Sequence, residues 1–328
     1  MNTIRDAYWN ALLADATYAF KVNRGATSGT NLIGLLEDSM TTPVAQYIAA
    51  NFTLVTHIKT DDISASGFDA SVWRRSDGKL YVSMRGTSGT QDLLTDFKLA
   101  IAGNAGQQVI DMVNWWFRIT TPVGQMARQV GHVLDAQTGF INPASDVAGQ
   151  GLVSAADLAG GIEVNGHSVG GYLATAFTRL LGAQAHVTQT TTFNSAGFAL
   201  GSETAFAALT RAIGPGYGLG RWPSGTEQTN YFAKNGINVT TNSLWFSQIG
   251  RRVQLFNEKD VTQVGNHYMY KLTDSLALAT EGGRVRSKLF IHRERPRFTI
   301  SVSRARIPRS HMYSGQTPAH FVAARKAA

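Results

Sequence analysis

Along this chain the hydrophobic pattern switches repeatedly between a period of two and a period near 3.6, as expected for strands alternating with helices. Residues 4–20 read as a helix with Ile4, Tyr8, Leu12, Leu13 and Ala16 on one face. Residues 80–84 (LYVSM) form a short apolar run with the character of a buried strand. A second such run, residues 162–165 (IEVN), is cut off by Gly166. Residues 172–181 return to helical spacing and stop at Gly182, a natural C-terminal stop. Residues 187–193 (VTQTTTF) are β-branched and strand-like, with weaker strand patterns at 229–232 and 252–256. Residues 271–280 predict a last amphipathic helix. No internal repeat is present, and no glycine-aspartate nonapeptide of the calcium-binding type.

Composition narrows the class. Of 328 residues, 43% are hydrophobic and 16% charged, which excludes a disordered or collagen-like chain and leaves ample material for a core. No apolar run reaches the ~18–20 residues of a membrane span. The first twenty residues lack the basic start, apolar stretch and small-residue cleavage site of a signal peptide. The expectation is therefore a cytoplasmic protein or one exported by a leaderless route. Without cysteine there is no disulfide, thiolate metal site or Cys nucleophile.

The net charge of +8 is unevenly spread. Residues 281–328 hold eleven Lys or Arg against two acids, which leaves residues 1–280 with 19 bases and 20 acids. The body is nearly neutral, so specific nucleic-acid binding is not expected of it. The expected organisation is a single α/β domain over 1–280 followed by a basic, partly disordered tail over 281–328. Anionic lipid headgroups, nonspecific nucleic acid and plain solvation all remain open as the tail's role.

The stretch that carries chemistry is EVNGHSVGG (163–171), which contains G-x-S-x-G as Gly166, Ser168 and Gly170. The pentapeptide alone is weak. Its setting is stronger, because an apolar strand runs into it and a helix follows, as a nucleophile elbow requires. Val169 would then offer its backbone N–H to a developing oxyanion. The loop after the 80–84 strand, RGTSGT (85–90), supplies a second candidate donor in Thr87. His167 is aimed wrongly to serve as base and is expected to pack beneath the elbow.

Two segments together, YVSMRGTSGTQDLLTDF (81–97) and VNGHSVGGYLATAF (164–177), resemble the class 3, fungal-lipase-like lipases of the α/β-hydrolase superfamily. NHYMYKLTDSLAL (266–278) is similar to that family's last segment, in which a histidine precedes a terminal helix. The likeness spans roughly residues 8–280. It implies the α/β-hydrolase fold, a central mostly parallel sheet flanked by helices. It also implies hydrolysis of lipid esters, triacylglycerol or phospholipid, through a Ser-acid-His triad without metal or organic cofactor.

In that fold the triad runs serine, acid, histidine. His186 falls too early, and His292, His311 and His320 lie in the tail, which leaves His267 as base. Four carboxylates, Glu203, Glu227, Glu258 and Asp260, lie between Ser168 and His267. Asp260 is the favoured acid. The loop where the family usually carries its acid offers Asn235, which stays open as an uncharged alternative. Asp92 and Asp96 precede the serine and are expected to cap or anchor a helix.

Residues 107–119 (QQVIDMVNWWFRI) carry a broad apolar arc including Trp115, Trp116 and Phe117. This segment is either a lid that meets substrate and opens at a lipid surface, or a buried helix. Two other functions remain open beside the lipase reading. One is a soluble esterase for small acyl groups; the other is an inactive hydrolase fold that binds lipid.

Overall fold

The computed structural model describes residues 3–60, 66–86, 105–135, 140–199, 201–235, 246–257 and 265–289. Of residues 105, 132–135, 140–143 and 281–289 it describes the backbone. Seven strands form one sheet in chain order: β1 (Phe52–Lys59), β2 (Asp69–Arg75), β3 (Leu80–Met84), β4 (Ile162–His167), β5 (Val187–Phe193), β6 (Gln228–Ala233) and β7 (Arg251–Leu255). The β1–β2 and β2–β3 pairs are antiparallel, and every pair from β3 to β7 is parallel. Parallel neighbours need crossovers, and the crossover helices cover both faces, so the inner strands are buried on both sides. β3 and β4 are accordingly buried along their whole length, β4 with Glu163, Asn165 and His167 among its buried residues.

One face carries α1 (Ile4–Ala16), α2 (Gly29–Leu36) and α3 (Thr42–Asn51). The other carries α4 (Ala105–Thr120), α5 (Val169–Leu181) and α6 (Ser202–Ile213). The last helix, α7 (Met269–Leu289), packs beside α1 through Ala7, Ala11, Met269, Leu272 and Leu276. α7 runs past residue 280. The rest of the tail, from residue 290, lies outside the described residues.

α1 starts in a capping box: the Asp6 N–H donates to Thr3 Oγ1 at 3.1 Å, and the Thr3 N–H to Asp6 Oδ2 at 2.9 Å. Its α-helical part stops at Ala16 and tightens into a single 3₁₀ turn, Thr17–Ala19. A polar clamp holds α1 to the sheet. Asn10 Nδ2 donates to Glu163 Oε2 at 2.5 Å, and Asn165 Nδ2 donates to Asn10 Oδ1 at 3.0 Å. The clamp fixes where the chain emerges from α1, and hence where Tyr18 arrives.

α4 is a core helix in this structure, against the lid expectation. Trp115, Trp116 and Phe117 are 2%, 0% and 5% exposed. Trp116 stacks edge-on against Phe177 of α5 at 4.9 Å and donates its indole N–H to Gln184 Oε1 at 2.9 Å. Trp115 meets Phe68, and Phe117 meets Tyr217. The wide apolar arc finds its partners on the sheet face and on α5, so burial accounts for it without a lipid surface. Trp116→Ala is therefore expected to cost about 3–5 kcal/mol of stability, read from the midpoint of urea unfolding. A surface lid would lose less than about 0.5 kcal/mol on the same change.

Candidate active site

β4 ends at His167 and α5 begins at Val169, so the whole turn between strand and helix is one residue, Ser168. Its backbone sits at φ 58°, ψ −124°, outside the ordinary regions for a residue with a side chain. Glycine at 166 and 170 is what the turn demands. A Cβ on Gly166 would land on the Gly170 carbonyl, and one on Gly170 would land on the Met84 carbonyl. The geometry is a sharp strand–turn–helix elbow, and its serine stands over the first turn of α5. As the first helical residue, Val169 has a backbone N–H without an intrahelical acceptor, free to meet negative charge at Ser168.

His267 lies in a 3₁₀ turn, Gly265–His267, just before α7. Its Nε2 is 3.0 Å from Ser168 Oγ, although 99 residues separate them. Both side chains are buried. Burial, helped by the neighbouring His167 ring, holds the His267 imidazole well below its ordinary protonation range. The ring is therefore neutral at physiological pH, the form that can accept a proton. For Nε2 to accept from serine, the ring proton must sit on Nδ1. That Nδ1 is buried and has no hydrogen-bond partner among the described residues.

Beneath the pair runs a chain of polar groups whose directions follow from one another. The Gly86 N–H donates to Tyr18 Oη at 3.1 Å, and Tyr18 Oη lies 2.8 Å from His167 Nδ1. His167 Nε2 is 2.8 Å from the His267 carbonyl oxygen, which can only accept. His167 thus carries its proton on Nε2, takes the Tyr18 hydroxyl proton at Nδ1, and is neutral, its pKa lowered by burial to about 4. Burial raises the Tyr18 hydroxyl, against the pull of Arg85. Asn194, at φ 42°, donates its side-chain amide to the same His267 carbonyl at 3.1 Å and accepts from the Ala233 N–H at 3.0 Å. Two donors from separate elements therefore hold the backbone of His267. His167 packs beneath the elbow as the sequence suggests.

The remaining expected residues fall as follows. Thr87 and Asp260 lie outside the described residues, as do Asp92 and Asp96. The start of the loop after β3 lies against the serine: a Cβ on Gly86 would stand 3.0 Å from Ser168 Cβ. Asn235 does not reach the imidazole. Its Nδ2 donates to the Asn257 carbonyl at 2.6 Å, and Asn257 Nδ2 donates in turn to Asn266 Oδ1 at 2.8 Å. The amide ties the ends of β6 and β7 to the turn that holds His267. Tyr18, Asn194 and Asn257 were not among the residues the sequence singled out, since each acts through contacts remote in sequence. Among the described residues no three His, Asp or Glu side chains gather as a metal site, and no helix is long and apolar enough to cross a membrane.

A sequential, mostly parallel sheet covered on both faces, with a serine elbow after its central strand and a histidine on that serine, defines an α/β-hydrolase fold. No family model and no curated protein matches the sequence. Among solved structures, the chain is similar to a lipase from Rhizopus microsporus var. chinensis at 14% identity and a TM-score of 0.41, covering 79% of this chain and 76% of that one. It is also similar to the Lip2 lipase from Yarrowia lipolytica, at 12% and 0.38 over 77% of this chain and 78% of the other. A triacylglycerol lipase from Penicillium expansum shows 12% identity and a TM-score of 0.35, over 80% and 81% of the two chains.

Proposed function

We propose that this chain is a serine hydrolase of carboxylic esters, acting on lipids of the triacylglycerol or phospholipid type through residues 1–280. The observation that carries the reading is the 3.0 Å contact of Ser168 Oγ with a neutral His267 Nε2 at a strained strand–helix elbow. Ser168 Oγ attacks the acyl carbon while His267 Nε2 takes its proton. The carbonyl oxygen becomes an oxyanion, held by the backbone N–H of Val169 and by Thr87. Collapse of the tetrahedral intermediate expels the alcohol, which receives the proton from His267. Water, deprotonated by the same ring, then frees the acyl group and restores the serine. The lipid part of the reading rests on the RG[ST] and GHSxGG segments described above. The basic tail suits peripheral contact with an anionic surface.

Asp260 is the acid in this mechanism. It stands seven residues before His267, whose buried Nδ1–H calls for an acceptor. Asn235 has its amide engaged by Asn257. Asp260→Asn is expected to lower kcat on a p-nitrophenyl ester by about 10³–10⁴-fold, and Asn235→Ala by less than about tenfold. The reverse ranking would remove Asp260 from the triad. The substrate class is tested by comparing p-nitrophenyl esters of rising chain length with triolein emulsion and phospholipid vesicles. Turnover of short soluble esters alone would make the chain a small-acyl esterase. Vesicle binding without turnover of any ester would make it a lipid-binding relic.

A further inference from the structure

The outer edge of the sheet carries a cleft of about 400 Å³ that takes no part in the mechanism above. β1 forms its floor, the Asn23–Gly25 segment one side, and α4 with the loop at Gln150 the other. Both walls are fixed by backbone hydrogen bonds. Arg24 N–H donates to the His57 carbonyl at 3.0 Å and His57 N–H returns a bond to the Arg24 carbonyl at 2.8 Å, while Gln150 N–H donates to the Arg118 carbonyl at 2.8 Å. In sheet register His57 pairs with Ser71, Ser71 with Ser83, and Ser83 with Asn165 of the elbow strand. Three strand spacings, about 14 Å, thus separate the cleft floor from the strand that carries Ser168.

Its charge is one-sided. Arg24 and Arg118 line it, and no acidic residue does among the described residues. Neither guanidinium forms an ion pair or side-chain hydrogen bond among the described residues, and Arg118 Nε is buried without a partner. Among the described residues Arg74, Arg85 and the fully buried Arg179 are matched by Asp157, Asp69 and Glu203, whereas the partly buried Arg252 forms no ion pair and lies over the Phe232 ring. Asn23 and Gln150 add amides at the rim, with the Asn23 Oδ1 already accepting from the Lys59 N–H at 2.6 Å. Two unmatched planar donors in a cleft of this volume suit a dianionic oxygen cluster, which guanidinium groups bind in bidentate fashion.

We propose that this edge cleft binds a phosphoryl group through Arg24 and Arg118, at a site separate from the Ser168–His267 pair. The group belongs either to a soluble phosphomonoester or to a phospholipid headgroup. The test uses the full chain with wild type, Arg24→Gln and Arg118→Gln, each checked for an unchanged thermal midpoint. Arg24 is exposed, so its variant remains informative if Arg118→Gln fails to fold. Glycerol 3-phosphate and inorganic phosphate are titrated calorimetrically, and vesicles of phosphatidylcholine with and without phosphatidic acid are sedimented with the protein. The basic tail is common to all three proteins, so a difference among them reports the cleft. A tenfold or greater loss of glycerol 3-phosphate affinity in either variant supports a soluble ligand. A loss confined to phosphatidic-acid vesicles supports the headgroup. If the variants match wild type in every arm, or if wild type binds none of the probes, the proposal is overturned. p-Nitrophenyl ester turnover serves as the independent control, since neither arginine belongs to the hydrolytic site.

Discussion

Ser168→Ala is expected to lower ester hydrolysis by on the order of 10⁶-fold, to the level that oxyanion donors and binding alone sustain. Among the described residues no other hydroxyl stands on His267 Nε2, and the elbow holds only one residue. The substitution removes the oxygen and leaves the backbone as it was, so the alanine variant should fold with near-wild-type stability. Ser168→Gly carries the argument further. At φ 58° and ψ −124° a side chain is strained, while glycine reaches positive φ readily. The glycine variant should be equally inactive yet more stable than the alanine variant by about 1 kcal/mol. Turnover is measured on a p-nitrophenyl ester and stability by urea unfolding. A Ser168→Ala protein retaining a tenth of wild-type activity would end the serine-hydrolase reading.

The second large effect is acid unfolding well above the pH at which carboxylates titrate. His57, His167 and His267 are all buried and neutral. Burial and the nearby Arg85 lower the His57 pKa to about 3, and burial lowers that of His167 to about 4. Asp69, 3.7 Å from His57, does not reverse this, because Arg85 engages it at 2.6 Å. In the unfolded chain each histidine takes up its proton near pH 6.5. Below that pH the unfolded state binds more protons than the native one, so stability falls as pH drops. The loss continues until the folded-state values near 4 and 3 are passed. Each histidine contributes up to about 1.4 kcal/mol per pH unit inside its window. Three together, from pH 6.5 down to 4, would remove at most on the order of 10 kcal/mol, comparable with the ~5–15 kcal/mol of an ordinary domain. Asp77, Asp157 and Glu227, held near 2 chiefly by Arg75, Arg74 and Arg221, act in the same direction, but only below the ordinary carboxylate range. Urea midpoints between pH 7.5 and 4.5 check this, with His57→Gln expected to flatten the slope. A midpoint constant from pH 7.5 to 5 would contradict it.

How much of this could be read from the chain varies by element. β3 and β5 match their predicted spans residue for residue, 80–84 and 187–193, because their buried lengths are rich in apolar and β-branched residues. The elbow was legible for a related reason. A one-residue strand–helix turn leaves no room for a Cβ two residues before and two residues after the serine, at Gly166 and Gly170, and that demand is written locally. The edge hairpin β1–β2 and the helices α2, α3 and α6 went unread. β1 is bulged between Leu54 and Thr56 and buries the polar Thr56 and His57 side by side, so its alternation is broken. The arc of α4 was legible as apolar, but not which surface it would meet.

By itself, then, the sequence determined the alternating architecture, the serine at its turn and the histidine ahead of the last helix. These follow from steric and periodic constraints within a few residues of one another. Tertiary structure decided what surrounds them. Tyr18 reaches His167 across 149 residues, Asn194 reaches the His267 carbonyl across 73, and Asn257 rather than His267 takes the Asn235 amide. It also decided that Trp116 is core and that Arg24 and Arg118, far apart in sequence, line one cleft with no carboxylate among its described lining residues. Such contacts depend on how strands and helices are laid side by side, and periodicity along the chain carries no record of which distant residue the packing will bring within 3 Å.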